Sequence, residues 1–364
     1  VHVDQWRYDD DLRCRHRESA GKVAALHLVV VWLPYEPDRV GQAAAVLGPS
    51  SLGRGEPETS GGRTARLSFS EQRPGPLPWK PPLASPGLSR RQLELQPLDQ
   101  GRLLVRNVGR RALLHNGVSV SDCVVAEGDT LLVEQTAGFL VEERPCALDR
   151  SAVLEALPRF PFGAPDPFGM VGESPAAWAL RAALAGAAAA DEHVLLLGES
   201  GSGKEIAAAL LHGLSPRRRG PLVARNAATM PESLLDAELF GSARDFPNRG
   251  SPERPGLVGE AHGGHLLLDE IGELPQGYQA HLLRVLDQHG EYHRLGEARP
   301  RVSDFRLIAA TNREARALKH DLLARFPRQV RIPPLDERRS DVPLLMRALV
   351  ARMARRTPER LRPY

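Results

Sequence analysis

The sequence predicts two domains, an all-β sandwich followed by an α/β domain built on a parallel sheet. Three observations carry this expectation. From residue 24 to residue 134 the chain breaks into short apolar runs, each of strand length and bounded by Gly, Asn or Asp. From Ala176 to Pro334, Ala-rich helical stretches alternate with Leu-rich runs, the rhythm of strand–helix–strand units. At residues 194–211 an apolar strand, a glycine loop and a helix pattern follow one another directly.

Bulk properties set the frame. A length of 364 residues suits two or three domains, and 42% hydrophobic residues suffices for ordinary cores. The balance of 48 basic against 45 acidic residues leaves +3, so overall charge does not point to nucleic acid. Cys14, Cys123 and Cys146 have no metal-ligand spacing; their odd number and the lack of a leader point to a reducing cytoplasm. The apolar run ending at Val30-Val31-Trp32-Leu33 is far too short to span a membrane. A chain that starts at Val1 and stops soon after a helical stretch is expected to be a fragment.

Residues 1–22 are charged and irregular and read as a mobile tail. Strands are expected over 25–33, after a turn at 34–38 over 40–47, then over 92–98, 102–106, 118–125 and 130–134. Residues 55–88 are rich in Pro, Gly and Ser and predict a long loop with an embedded strand near 65–70. The sandwich is bounded at 23–145, and 146–170 reads as a linker.

Leu52-Gly53-Arg54, Leu88-Ser89-Arg90-Arg91-Gln92, Asn116-Gly117 and Glu127-Gly128-Asp129 together resemble a forkhead-associated (FHA) domain. That resemblance implies a sandwich that reads phosphothreonine proteins through loops at one end. Arg54 and Ser89 fall where the family contacts phosphate. The family's His after the Ser-Arg pair is missing, since Arg91 and Gln92 follow, and its peptide-contacting Asn and Gly are Arg111 and Ala112 here. A sandwich that only packs against its neighbour is the other reading.

The run Gly198-Glu199-Ser200-Gly201-Ser202-Gly203-Lys204-Glu205 has the spacing G-x-x-x-x-G-K of the P-loop, and all eight residues are expected to cradle the nucleotide. Glycines turn successive backbone N–H groups inward, and these donors and the helix N-terminus hold anionic oxygens. Lys204 then reaches the β- and γ-phosphates of ATP. Only four of the 48 basic residues are Lys, so one in this loop is a choice of a compact point charge over a guanidinium. The apolar run 265–268 ends in Asp269-Glu270, where Asp269 is expected to hold Mg2+ and Glu270 to polarise water. A further apolar run, 305–311, ends at Asn312, placed to sense the γ-phosphate or to form a turn.

Together, Gly198–Glu205, Arg225-Asn226-Ala227-Ala228, Asp236–Gly241, Gly263–Pro275, Ala309–Asn312 and Pro333–Arg338 resemble the AAA+ module of sigma-54-dependent transcriptional activators, over residues 171–364. The Glu205 that follows the lysine, where most P-loops have Ser or Thr, is usual in that family. The resemblance implies that Asn226 pairs with Glu270 as a switch and that Asn312 is sensor I. It also implies two arginine fingers six residues apart: Arg325 fits the second, and Lys319 stands at the first. Fingers act across subunits, so a ring is implied, typically a hexamer.

The family's GAFTGA loop, which touches sigma-54, reads Asp245-Phe246-Pro247-Asn248-Arg249-Gly250 here. Pro247 stiffens it and charges replace an apolar, Thr-bearing tip. Either sigma-54 RNA polymerase is engaged differently, or the ATPase ring is a nucleotide-controlled scaffold without that contact. The core is expected over 171–336. From 337 the helical lid begins, with Leu344, Leu345, Leu349 and Met353 on one face. DNA contact is expected only through a C-terminal domain not contained in these residues.

Overall fold

The structure is a computed structural model that describes residues 24–55, 65–75, 80–287, 290–312, 318 and 320–356. The expected tail 1–22, Lys319 and part of the loop 55–88 lie outside the described residues.

The N-terminal part is all strand: β1 (Ala24–Trp32), β2 (Ala43–Ala45), β3 (Ser50–Leu52), β4 (Ala65–Arg66), β5 (Leu93–Leu98), β6 (Arg102–Asn107), β7 (Leu113–His115), β8 (Val118–Val120), β9 (Asp122–Val125), β10 (Thr130–Val133) and β11 (Ala137–Pro145). They form one sheet in the order β2-β1-β11-β10-β7-β8 and a second in the order β4-β3-β5-β6-β9. The first and last strands pair antiparallel from Ala24↔Pro145 to Trp32↔Gly138, which ties the ends of the domain together. Alternate residues meet in one core, among them Leu28, Val30, Leu93, Leu95, Val105, Leu131, Phe139 and Val141.

Several expectations shift. The strand expected over 40–47 shrinks to β2, because a 3-10 turn at Pro37–Arg39 and Gly41 at φ +94° occupy the approach to it. The run 118–125 divides at Ser121 into β8 and β9, which belong to different sheets. The strand near 65–70 is only β4 and an isolated bridge at Ser70. Strands β3, β7 and the long β11 were not anticipated.

The second domain contains α1 (Pro175–Ala189), β12 (Val194–Leu197), α2 (Lys204–Leu214), β13 (Leu222–Asn226), α3 (Leu235–Phe240), α4 (Gly256–Glu260), β14 (His265–Asp269), α5 (Gln276–Asp287), the hairpin strands β15 (Glu291–Tyr292) and β16 (Arg301–Val302), β17 (Arg306–Thr311), α6 (His320–Leu323), β18 (Arg328–Arg331) and α7 (Val342–Arg356). Its five-stranded sheet runs β13-β14-β17-β12-β18, and every pairing is parallel. The strands are apolar on both faces because both are covered: Leu195, Leu266, Leu268, Leu307 and Ala309 enter one core, and Val194, Leu196, Leu267, Ile308 and Ala310 the other. Ser174 caps α1, accepting from Ala177 N at 3.1 Å, with Pro175 next.

Residues 146–170, expected as a linker, form a packed strap. Phe160 stacks on Trp178 of α1, and buried Asp166 pairs with buried Arg181 at 3.0 Å. The sandwich docks on this strap and on the start of α7. Arg73 bonds Glu173 through both carboxylate oxygens and lies over Phe160 at 4.5 Å. On α7 Leu344 is buried, whereas Leu349 and Met353 are more than half exposed, so the expected face is not covered among the described residues.

Candidate functional site: a phosphate loop facing paired carboxylates

The sheet order determines what meets at its C-terminal edge. β17 lies between β12 and β14, so Asn312 emerges between the glycine loop and the Asp269-Glu270 pair. The loop leaves β12 at Gly198, whose N–H donates to Thr311 O at 3.2 Å. Glu199, Ser200 and Gly201 form its exposed crest, and Ser202 N closes the turn by donating to Glu199 O at 3.2 Å. Gly201 is left-handed, φ +77°, and a Cβ there would meet nothing within 4 Å, so backbone conformation rather than crowding calls for glycine. Gly203, at φ +101°, is the left-handed residue that turns the chain into α2. Lys204 opens that helix and is buried. Its Nζ lies 3.3 Å from Gly198 O, 3.4 Å from Glu199 O, 3.2 Å from Glu270 Oε1 and 3.9 Å from Asp269 Oδ1.

Glu270 follows β14 in a left-handed conformation, φ 53° and ψ 43°. For a residue with a Cβ this is a costly geometry, of the kind concentrated at functional sites. Its N–H donates to Asp269 Oδ1 at 2.9 Å, and its Oε2 accepts from Asn312 N at 3.3 Å. Asp269, Glu270, Lys204 and Asn312 thus converge.

The other expected residues lie apart from this group. Ser200 and Gly201 stand at the open crest of the loop, and Glu205 is exposed in the first turn of α2, so these three offer backbone rather than a converging side chain. Asn226 sits opposite Asp269 in register, but its side-chain oxygen caps the turn 227–229 by accepting from Ala228 N at 2.9 Å. Among the described residues it makes no bond to Glu270, which pairs with Lys204. Arg325 follows α6, is exposed, and pairs with Asp287 at the end of α5.

The loop fits a nucleotide phosphate and its cation. Ser202 Oγ is buried within it and has no hydrogen-bond partner among the described residues. A Cβ at Gly198 would stand 2.7 Å from that oxygen and 3.1 Å from Ile332 Cβ, so a side chain there would displace one or the other. One buried lysine, a turn of backbone donors and two adjacent carboxylates are the donor and acceptor set that a polyphosphate with magnesium requires.

Arg338 was named in the sequence only as part of a motif. It is buried, Nη2 donates to Ser202 O at 3.3 Å, and Nε has no partner among the described residues. Burial lowers its pKa.

At one end of the sandwich Arg54 and Ser89 come together: Arg54 N donates to Ser89 O at 3.1 Å, and Ser89 Oγ accepts from Arg110 N at 3.1 Å. A Cβ at Gly53 would stand 2.2 Å from Arg90 O, so this approach needs glycine. The unanticipated residue is Gln92, fully buried beneath these loops. Its Oε1 accepts from Ser89 N, and its Nε2 donates to Asn107 Oδ1 and Arg111 O. The signal available in the sequence was its position, directly after Ser89-Arg90-Arg91.

The segment 242–254 is a closed loop. Ser242 bridges Arg254, Asp245 N donates to Ser251 O, and Gly250 N donates to Asp245 Oδ1. Phe246 lies over Gly296, in the turn between β15 and β16.

A strand, glycine loop and helix facing an acidic strand end within a parallel sheet define a P-loop nucleotide-binding domain of the AAA+ class. Residues 170–328, somewhat under half of the chain, match the family described as Sigma-54 interaction domain, in agreement with an AAA+ ATPase module. The nitric oxide reductase transcription regulator NorR1 of Cupriavidus necator is 49% identical over 185 residues, which span 48% of this chain and 35% of that one. The DNA-binding transcriptional regulator NtrC of Azospirillum brasilense is 40% identical over 208 residues, 55% of this chain and 43% of its own. The chain thus spans less than half the length of these curated relatives. The crystal structure of NtrX from Brucella abortus in complex with ADP is 33% identical, covers 52% of this chain and 43% of that chain, and gives a TM-score of 0.48. No helix among the described residues is long and apolar enough to cross a membrane.

Proposed function

We propose that this chain is an ATP-hydrolysing transcription regulator of the sigma-54 activator type, working as a ring in the cytoplasm. The observation that supports this best is the convergence of Lys204, Asp269, Glu270 and Asn312 on the glycine loop. Loop N–H groups, those of Ser200 and Gly201 among them, and Lys204 bind the phosphates of ATP. Asp269 would hold Mg2+, whose charge would neutralise the phosphate oxygens when it is bound. Glu270 orients the attacking water and accepts its proton. Arg325, exposed at the surface, reaches the site of a neighbouring subunit. The test is magnesium-dependent ATPase rate against protein concentration. Specific activity is expected to rise with concentration and to collapse in Arg325→Ala; a flat rate indifferent to that substitution would sink the ring reading.

The rewritten loop favours a second reading, an ATPase ring that acts as a scaffold without touching sigma-54. Residues 245–250 carry Asp245, Pro247 and Arg249 in a closed turn rather than an apolar tip. Retention of sigma-54 by the ring, trapped with a transition-state nucleotide, separates the two. The sandwich is read as FHA-like and as the controlling domain, with Arg54 and Ser89 facing a phosphothreonine protein. Phosphothreonine peptides titrated against the chain, with Arg54→Ala beside it, test this; no binding at millimolar peptide would remove it.

A further inference from the structure

Residues 338–341 touch three parts of the molecule in four positions. Arg338 reaches the phosphate loop at Ser202 O. Ser340 belongs to the sandwich's grip: its Oγ accepts from Arg144 Nη2 at 2.7 Å, and its N–H donates to Glu142 Oε1 at 3.2 Å. Asp341 is bound to the start of α1, accepting from Glu173 N at 2.7 Å, Ser174 N at 2.9 Å and Ser174 Oγ at 2.6 Å.

Each end of this relay is fixed. Arg144 lies on β11, is 2% exposed, and also donates to Glu142 and Gln72. Ser340 and Asp341 are each 1% exposed. Arg338 is the one residue of the segment 335–341 with non-helical backbone, φ −139° and ψ 45°. Its guanidinium therefore points where the backbone on either side of it is held. One side of that hold is the sandwich.

We propose that Arg338 positions the phosphate loop and that the sandwich sets Arg338 through Arg144 and Ser340. The inference rests on the ATP-binding reading above and adds a residue and a route to it. Arg338 acts through Ser202, fixing the carbonyl between two of the loop's donors, so it is a positioning residue. The sandwich thereby tunes nucleotide affinity without approaching the nucleotide. The route runs from β11 through the buried Arg144–Ser340 hydrogen bond, along the backbone of residues 338–340, to the bond from Arg338 to Ser202 O, and coupling of this kind is measured by a double-mutant cycle.

The test uses the full 364-residue chain. A fluorescent ADP analogue is titrated against the parent, Arg338→Gln, Arg144→Gln and the double variant. Loss of a charge-assisted bond to the loop is expected to weaken binding about tenfold in Arg338→Gln. Arg144→Gln is expected to weaken it in the same direction, and the double variant no further than Arg338→Gln alone. Ser340→Ala provides the same break if Arg144→Gln does not fold. Hydrogen exchange at the amides of 199–203, measured without nucleotide, is expected to quicken in Ser340→Ala while β14 exchanges as in the parent. Additive losses, or loop exchange unmoved while 339–341 quicken, would overturn the proposal. A parent that binds no nucleotide defeats the ATPase reading instead, and the exchange measurement then decides the relay by itself.

Discussion

Lys204 Nζ and Glu270 Oε1 lie 3.2 Å apart, a buried lysine paired with a carboxylate held in left-handed backbone. The pair joins the phosphate loop to the end of β14. Removing either partner separates binding from hydrolysis. Lys204→Ala is expected to weaken nucleotide binding at least about tenfold, since the loop loses its only compact cation. Glu270→Gln keeps shape and hydrogen bonding but not basicity, so ATP stays bound while turnover falls about 10²–10⁴-fold. Parental turnover by the Gln variant would end the assignment of Glu270 as base.

Acid is expected to destabilise the chain from near-neutral pH downward. Burial pushes His27 and His193 down to about 4, and His265, beside His212 Nδ1 at 2.9 Å, to about 3. Below pH 6.5 the unfolded chain takes up these protons and the folded chain refuses them until its own lower values are reached. Stability is therefore full above 6.5 and is lost as pH falls toward 4, by about 1.4 kcal/mol per pH unit for each refused proton. Asp341 works in the opposite sense, because burial raises its pKa and the folded chain protonates it first. Melting temperature followed from pH 7.5 to 4.5 checks the balance; a constant value would contradict it. His265→Leu is expected to flatten the fall.

Gln92 is expected to be worth more to the sandwich than any exposed residue of the loops above it. In Gln92→Ala, Ser89 N and Arg111 O each lose a hydrogen-bond partner, and Asn107 Oδ1 keeps only the long bond from Gly109 N. A loss of about 2–3 kcal/mol follows, read by denaturant unfolding. An unchanged midpoint would show that water replaces the side chain without cost.

Arg73→Ala is expected to loosen the sandwich from the strap. It leaves Glu173 buried with Trp178 Nε1 and Gly163 N but no cation, a defect of about 3–5 kcal/mol. Adding Glu173→Gln removes the stranded charge and is expected to recover part of the loss. Limited proteolysis within 146–165 reads the separation; equal cleavage of parent and Arg73→Ala would refute it.

The α/β half was the more legible in sequence. A parallel strand covered on both faces is a continuous apolar run, so β12, β14 and β17 stood out beside their glycine and acidic ends. In the sandwich, three-residue strands such as β3 and β7 are too short for alternation to register. β11 was missed although Gly138-Phe139-Leu140-Val141 is apolar, because the turn at 134–136 hid the start of a new strand. Arg338, Arg144 and Gln92 were not singled out as functional for a common reason. Each acts through partners distant in sequence, and a lone Arg or Gln has no local pattern.

Phe246 and Gly296 form a matched pair. A methyl group at 296 would stand 2.5 Å from the ring, and Gly296 is also at φ +75°, which already disfavours any other residue. The two positions are thus bound in inheritance. A lineage that keeps the aromatic at 246 must keep the gap at 296, and one that fills the gap must surrender the aromatic. Across relatives with this loop shape, substitution at either site is expected to travel with substitution at the other.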